Sequence, residues 1–194
     1  MQGELQGVLL NVRQLLEVYP PLEGHSRRVA AVAGAVGGRM GLPAPEVLAV
    51  AGYCHDLGKS TWCREAHAAV TLTDADWATI KAHPIIGVAI LNTIWPAAPM
   101  LIRTVVRGHH ERPGGGGYPD GLRTPGIHTL VLAACDVFDA LTNPREYRPG
   151  VVLTPADALA EVARFAPAAV VQALIDVLNK AEGGFDRGTK KFGC

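Results

Sequence analysis

Neither sign of charge is in excess in this sequence: 18 lysines and arginines stand against 18 aspartates and glutamates. No basic field therefore invites a long nucleic acid or an anionic membrane, although a local cluster on a neutral protein can still hold a small anion. Cysteine is scarce, and Cys54, Cys63, Cys135 and Cys194 form no CxxC pair and no framework spacing. That excludes a disulfide scaffold and fits a reducing compartment, with Cys54 and Cys135 packing as small buried hydrophobes. No apolar run reaches the roughly 18 residues of a membrane span. The first residues show no charged leader, apolar core and cleavage site, so the expectation is a cytoplasmic protein. Strand-like alternation and internal repeats are missing too. In a chain of 194 residues, a length suited to one domain with a substantial core, what is left is an all-α, single-domain bundle.

The sequence that remains reads with helical period. Val29, Val32, Ala33, Val36 and Met40 form a stripe that His25 extends backward, and Gly41 and Pro43 end it. Pro45 opens a second helix, in which Leu48 and Ala51 lead by the same spacing to His55. Thr73-x-x-Asp76 has the form of a capping box ahead of Trp77 and Ile80, and the spacing predicts that this helix ends near His83-Pro84. Further helices are expected from Pro99 to His109, from Ile127 to Leu141, from Thr154-Pro155, and after Pro167 to about Ala181-Glu182. The stretches Ser60–Leu72 and Glu111–Gly126 read as loops, the second too glycine-rich to be helical. One domain is expected over residues 1–194, its core from about 20 to 182 and a polar tail over 183–194.

Five of the seven histidines, His25, His55, His83, His109 and His110, fall on apolar helix faces or at helix ends. A lone buried histidine is more often a satisfied core residue than a ligand, and that reading is kept for His67 and His128. The other five are accompanied by Asp56 and Asp136, and a shared metal centre would give all of them a partner. Nitrogen and carboxylate oxygen without thiolate suit iron, manganese, zinc or cobalt better than a structural zinc. Seven ligands exceed the needs of one ion, so two ions with Asp56 bridging is the economical arrangement. Such a pair polarises a phosphoryl group and activates water. Asp139 reads as a residue that orients a ligand or a cap. Lys59, one turn beyond His55, lies within reach of a phosphoryl oxygen at such a centre. Arg145 and Arg148 flank Tyr147; by spacing they fit a phosphate or guanine edge and a salt-bridged helix end equally well.

Six segments occur in order: His25-Ser26-x-Arg28-Val29, His55-Asp56-Leu57-Gly58-Lys59, Lys81-x-His83-Pro84, His109-His110-Glu111, Gly117-Tyr118-Pro119-Asp120-Gly121 and Asp136-x-x-Asp139-Ala140-Leu141-Thr142. Together they resemble the HD-GYP family, a branch of the HD metallohydrolases, over Gly24 to Asp186. The resemblance implies a helical bundle of the HD phosphohydrolase type and a metal-dependent phosphodiesterase that opens cyclic di-GMP to linear pGpG and GMP. It implies that His25, His55, Asp56, His83, His109, His110 and Asp136 hold two divalent ions, iron or manganese first, with zinc, cobalt or nickel as alternatives. Asp56 and Lys59 would serve catalysis, and Lys59, Arg145 and Arg148 would contact the substrate. Tyr118, in a glycine-rich Gly-Tyr-Pro loop, would border the site or dock a GGDEF-type diguanylate cyclase.

Three departures from the family pattern stand out. Pro21 occupies the place, four residues before His25, where some members carry a glutamate for a third metal; Glu23 would point elsewhere on a helix, so two metals are expected. Gly114 replaces the aspartate of the usual Asp-Gly-x-Gly-Tyr-Pro, and Cys63–Val70 departs from a lysine-proline-glycine segment. Two other readings stand beside the enzyme. One is a catalytically weak module that binds cyclic di-GMP or docks a cyclase. The other is a phosphohydrolase of another cyclic dinucleotide or of a guanosine polyphosphate.

Overall fold

Residues 2–63, 73–143 and 152–185 are described by the computed structural model, and among them every regular element is helical. Helix α1 (Gln2–Leu16) buries Val8, Val12 and Leu16, four residues apart. The hydrophobic core thus takes in residues of α1. Helix α2 (Pro20–Arg39) opens on prolines, whose fixed φ and missing N–H suit a first turn, and buries Val29, Ala33 and Val36. Helix α3 (Glu46–Cys54) packs along α2 with Leu48 and Ala51 fully buried. Beyond it, Leu57–Thr61 form a short 3-10 turn that lies on the next helix.

That helix, α4 (Asp74–Ile94), begins with the anticipated capping box: Thr73 Oγ1 accepts from the Asp76 N–H at 3.3 Å, and Asp76 Oδ2 accepts from the Thr73 N–H at 2.8 Å. Thr73→Ala should cost about 1 kcal/mol, a fall of about 2–4 °C in thermal unfolding, with metal uptake unchanged. The expected end near His83-Pro84 is corrected, because α4 runs through Pro84 to Ile94. The proline removes one N–H from the ladder, whereas the turns beyond it bury Gly87 and Leu91. Packing outweighs that local loss.

Helix α5 (Met100–Gly108) buries Ile102, Val105 and Val106. Helix α6 (Ile127–Thr142) is buried along most of its length and touches α2, α3 and α5. It also meets α7 (Pro155–Ala163) and α8 (Ala168–Phe185). Thr154 caps α7 by accepting from the Asp157 N–H at 3.2 Å. Helix α8 reaches Phe185 rather than stopping near Ala181-Glu182; the Gly183-Gly184 pair that suggested a tail forms part of its last turn. Arg39 ties α2 to α8 through Asp176 at 2.6 Å. Among the described residues no helix is long and apolar enough to cross a membrane. Arg145, Arg148, most of the Ser60–Leu72 stretch and the tail from 186 lie outside the described residues.

Candidate metal centre

Three of the expected ligand histidines are aimed by a carbonyl of their own segment. His55 Nδ1 donates to Gly52 O at 2.7 Å, His109 Nδ1 to Val106 O at 2.7 Å, and His83 Nδ1 to Ile80 O at 2.5 Å. A carbonyl only accepts, so the ring proton sits on Nδ1 and Nε2 keeps its lone pair. Gly52 and Val106 lie in the last turns of α3 and α5, where helix carbonyls have no intrahelical N–H. His25 uses a carboxylate instead. Its Nδ1 is 2.7 Å from Asp139 Oδ2, and Arg28 holds Asp139 through Nε at 2.7 Å and Nη2 at 2.9 Å. The orienting role expected of Asp139 thus falls on His25. His110 is held by stacking, its ring 4.6 Å from that of Tyr118 at 21°.

So directed, the nitrogens converge on Asp56, whose two oxygens face different partners. Oδ1 lies 3.3 Å from His83 Nε2 and 3.8 Å from His109 Nε2. Oδ2 lies 3.4 Å from His55 Nε2 and 3.8 Å from His25 Nε2. Asp136 Oδ1 closes the second group, 3.1 Å from His25 Nε2 and 3.7 Å from His55 Nε2. Ligand atoms of His83, His109 and His110 lie within 4.8 Å of one another, as do those of His25, His55 and Asp56. Donors sharing one ion at bonds of about 2.1 Å stand about 3 Å or slightly more apart, so the spacing suits a pair of cations.

The donor chemistry passes the same test. His25 Nε2, His55 Nε2, His110 Nε2 and Asp56 Oδ1 are buried without a hydrogen-bond partner. His83 Nε2 and His109 Nε2 point lone pairs at each other across 3.1 Å, an arrangement that repels unless a cation lies between them. Burial pushes His83, His109 and His110 down, which keeps them neutral at pH 7. Burial would raise Asp56 and Asp136, but it is outweighed for Asp56 by His55 and Lys59 and for Asp136 by His25 and His55. Both stay well below the usual carboxylate range. For His25, burial is outweighed by Asp136 and Asp139, which raise it to about 9. The neutral imidazoles of His83, His109 and His110 beside ionised carboxylates are the states that bind a divalent cation, whereas His25, protonated at pH 7 without one, would release its proton on binding. Lys59, on the 3-10 turn, places Nζ 2.7 Å from Asp56 Oδ2 at the rim of the cluster.

Three residues given no role by the sequence shape the surroundings. Glu111 is fully buried, and its carboxylate accepts from the backbone N–H groups of Asp120 at 2.6 Å, Gly121 at 3.1 Å and Leu122 at 2.7 Å. It folds the glycine-rich loop back on itself and so seats Tyr118 on His110. Arg112 lies over the Phe165 ring at 4.2 Å and donates to His109 O and Glu111 O. Trp62 meets His83 edge-on with ring centroids 6.0 Å apart. Gly114, where the aspartate is replaced, has φ +87°, a conformation that suits glycine. Glu23 accepts from the Tyr53 hydroxyl at 3.2 Å, and His128 pairs with Pro43 O. Tyr118→Ala should weaken manganese binding about 2- to 10-fold, the worth of one aromatic stack, while Tyr118→Phe leaves it unchanged; calorimetric titration checks both.

The sequence matches a family described as HD domain over residues 11–167. A cyclic di-GMP phosphodiesterase of Pseudomonas aeruginosa is 34% identical over 131 residues, 65% of this chain and 31% of that protein. A 3'3'-cGAMP-specific phosphodiesterase of Vibrio cholerae is 29% identical over 153 residues, 73% of this chain and 32% of the relative. The chain thus spans about a third of the length of these curated relatives. Among solved structures, the HD domain of the L. monocytogenes phosphodiesterase PgpH, in complex with cyclic-di-AMP, shares the fold. Its TM-score is 0.63 at 15% identity, covering 93% of this chain and 99% of that one.

Proposed function

The chain belongs to the HD-domain family, and from that premise we propose that it is a metal-dependent phosphodiesterase opening cyclic di-GMP to pGpG and GMP. The observation that carries this reading is the division of Asp56: each carboxylate oxygen faces its own histidine pair. A carboxylate so placed would be available to both groups if each held a cation. His25, His55 and Asp136 would hold one ion, His83, His109 and His110 the other, with iron or manganese the first choice for this donor set. When bound, such a pair supplies Lewis-acid polarisation of a phosphoryl group and lowers the pKa of water.

The remaining work is assigned to side chains. Lys59, already drawn to Asp56, offers its ammonium to a phosphoryl oxygen entering at the rim and offsets the charge that builds as the ribose 3′ oxygen departs. Burial of the histidine cluster excludes bulk water and strengthens that interaction. Arg145 and Arg148 hold the substrate, with Tyr118 at the border of the site. The Gly-Tyr-Pro loop is the candidate surface for a GGDEF-type diguanylate cyclase, in the cytoplasm where the nucleotide is made.

The test joins elemental analysis of anaerobically purified protein to product analysis with cyclic di-GMP. Two metals per chain and a linear dinucleotide are expected. A protein that holds no metal, or holds it and leaves the nucleotide intact with iron and manganese under reducing conditions, sinks the proposal. A second reading has its own support, because curated relatives include phosphodiesterases named for 3'3'-cGAMP. Competition among cyclic di-GMP, 3'3'-cGAMP, cyclic-di-AMP and a guanosine polyphosphate separates the two by the ratio of kcat/KM values.

A further inference from the structure

Of the three candidate ligand histidines braced by backbone carbonyls, His83 is the one inside a helix. In the α-helical ladder Ile80 O belongs to the N–H of residue 84. Residue 84 is proline, which has no N–H and whose ring presses the carbonyl four residues back out of line. Both His83 and Pro84 are buried, and Ile80 itself is half-buried. The partner it has is His83 Nδ1, at 2.5 Å. The same ring then points Nε2 to within 3.3 Å of Asp56 Oδ1 and 3.1 Å of His109 Nε2.

We propose that Pro84 is a positioning residue for the metal centre: by withholding an N–H it reserves Ile80 O for His83, and so fixes both the tautomer and the aim of that ligand. Its functional consequence rests on the metal reading of the site. An ordinary residue at 84 would return an N–H to Ile80 O along the helix axis. His83 would then share its acceptor, and the tautomer with the proton on Nε2, which cannot ligate, would become populated. The helix itself would improve, since proline is the least favourable residue in a helix interior. Stability and metal binding therefore move in opposite directions, which a purely structural role for Pro84 does not predict.

Two variants test this: Pro84→Ala, and replacement of residue 84 by lactic acid, the backbone ester of alanine, which has neither N–H nor ring. The readouts are thermal unfolding of the metal-free protein, calorimetric titration with manganese alone, and ¹⁵N shifts of the His83 ring without metal. Pro84→Ala should melt higher than the parent, bind one manganese at least about 10-fold more weakly, the scale of losses on removing a ligand's supporting hydrogen bond, and show mixed His83 tautomers. The ester should restore parental affinity and the Nδ1–H signature. Parental affinity with an unchanged tautomer in Pro84→Ala overturns the proposal, as does an ester variant that binds as weakly as alanine. A parent chain that takes up no manganese, while its His83 tautomer still follows residue 84, sinks the metal reading and upholds the brace.

Discussion

Asp56→Asn should lower hydrolysis of cyclic di-GMP by roughly 10³-fold or more and leave at most one tightly held metal per chain. Charge stabilisation by a metal centre is worth several kcal/mol, and each 1.36 kcal/mol is about a factor of ten in rate. The side chain is buried and divided between two groups of histidines, with Lys59 drawn to one of its oxygens. An amide keeps the shape, but it gives up the negative charge and replaces one acceptor oxygen with an N–H donor. Asp136 stands nearest His25 and His55 and also within 4.8 Å of His109, so it would have to shift to replace the lost carboxylate. Metal content by elemental analysis and turnover by product chromatography, measured on the same preparation, check the two halves. An asparagine variant that keeps two metals and normal turnover would exclude the bridging role.

Gly58→Ala should be the most damaging of the conservative changes. The Leu57–Thr61 turn lies on α4 with Gly58 against its backbone. A methyl group there would land on His83 O and come 2.8 Å from Gly87 N. Neither atom belongs to a flexible side chain, so the turn must lift from the helix. Such overpacking costs about 1–3 kcal/mol and occasionally more, a fall of about 2–12 °C in melting temperature for a chain of this size. The functional loss should exceed the thermal one, because the same turn carries Asp56 and Lys59 at its start while α4 carries His83. Lifting one from the other parts the two halves of the centre. Gly38→Ala is the control: it sits near the end of α2 with nothing within 4 Å of the added carbon and should leave manganese binding intact. Equal melting temperatures and equal manganese affinity for Gly58→Ala and the parent would falsify the packing argument.

The candidate ligands were legible for a physical reason. Imidazole at core positions of an amphipathic stripe is costly, so His25, His55 and His109 stand out against the apolar residues three and four places before or after them. The structure brings all five histidines together with Asp56 and Asp136. Other parts of the site depend on paths that no local pattern records. Glu111 looks like any charged residue at the start of a loop, and its partners lie nine to eleven residues onward on a chain that must first turn back. Pro84 was read by its usual effect, and the packing of Gly87 and Leu91 that carries α4 past it comes from tertiary contact. Helix α1 was within reach, since Val8, Val12 and Leu16 repeat every fourth residue, but polar and glycine neighbours dilute the stripe.

The seven candidate ligands come from α2, the ends of α3 and α5, and the interiors of α4 and α6, so the chain from residue 25 to residue 136 must be in place before they meet. Cations gathered there would bind the native chain far better than the unfolded one. Each tenfold rise in free metal above the dissociation constant then adds about 1.4 kcal/mol per site to the folding equilibrium. A cell depleted of the ion would hold a larger unfolded fraction of the protein and degrade it sooner. Its steady-state abundance would follow metal supply, and the proposed phosphodiesterase activity would fade by loss of protein as well as by loss of turnover.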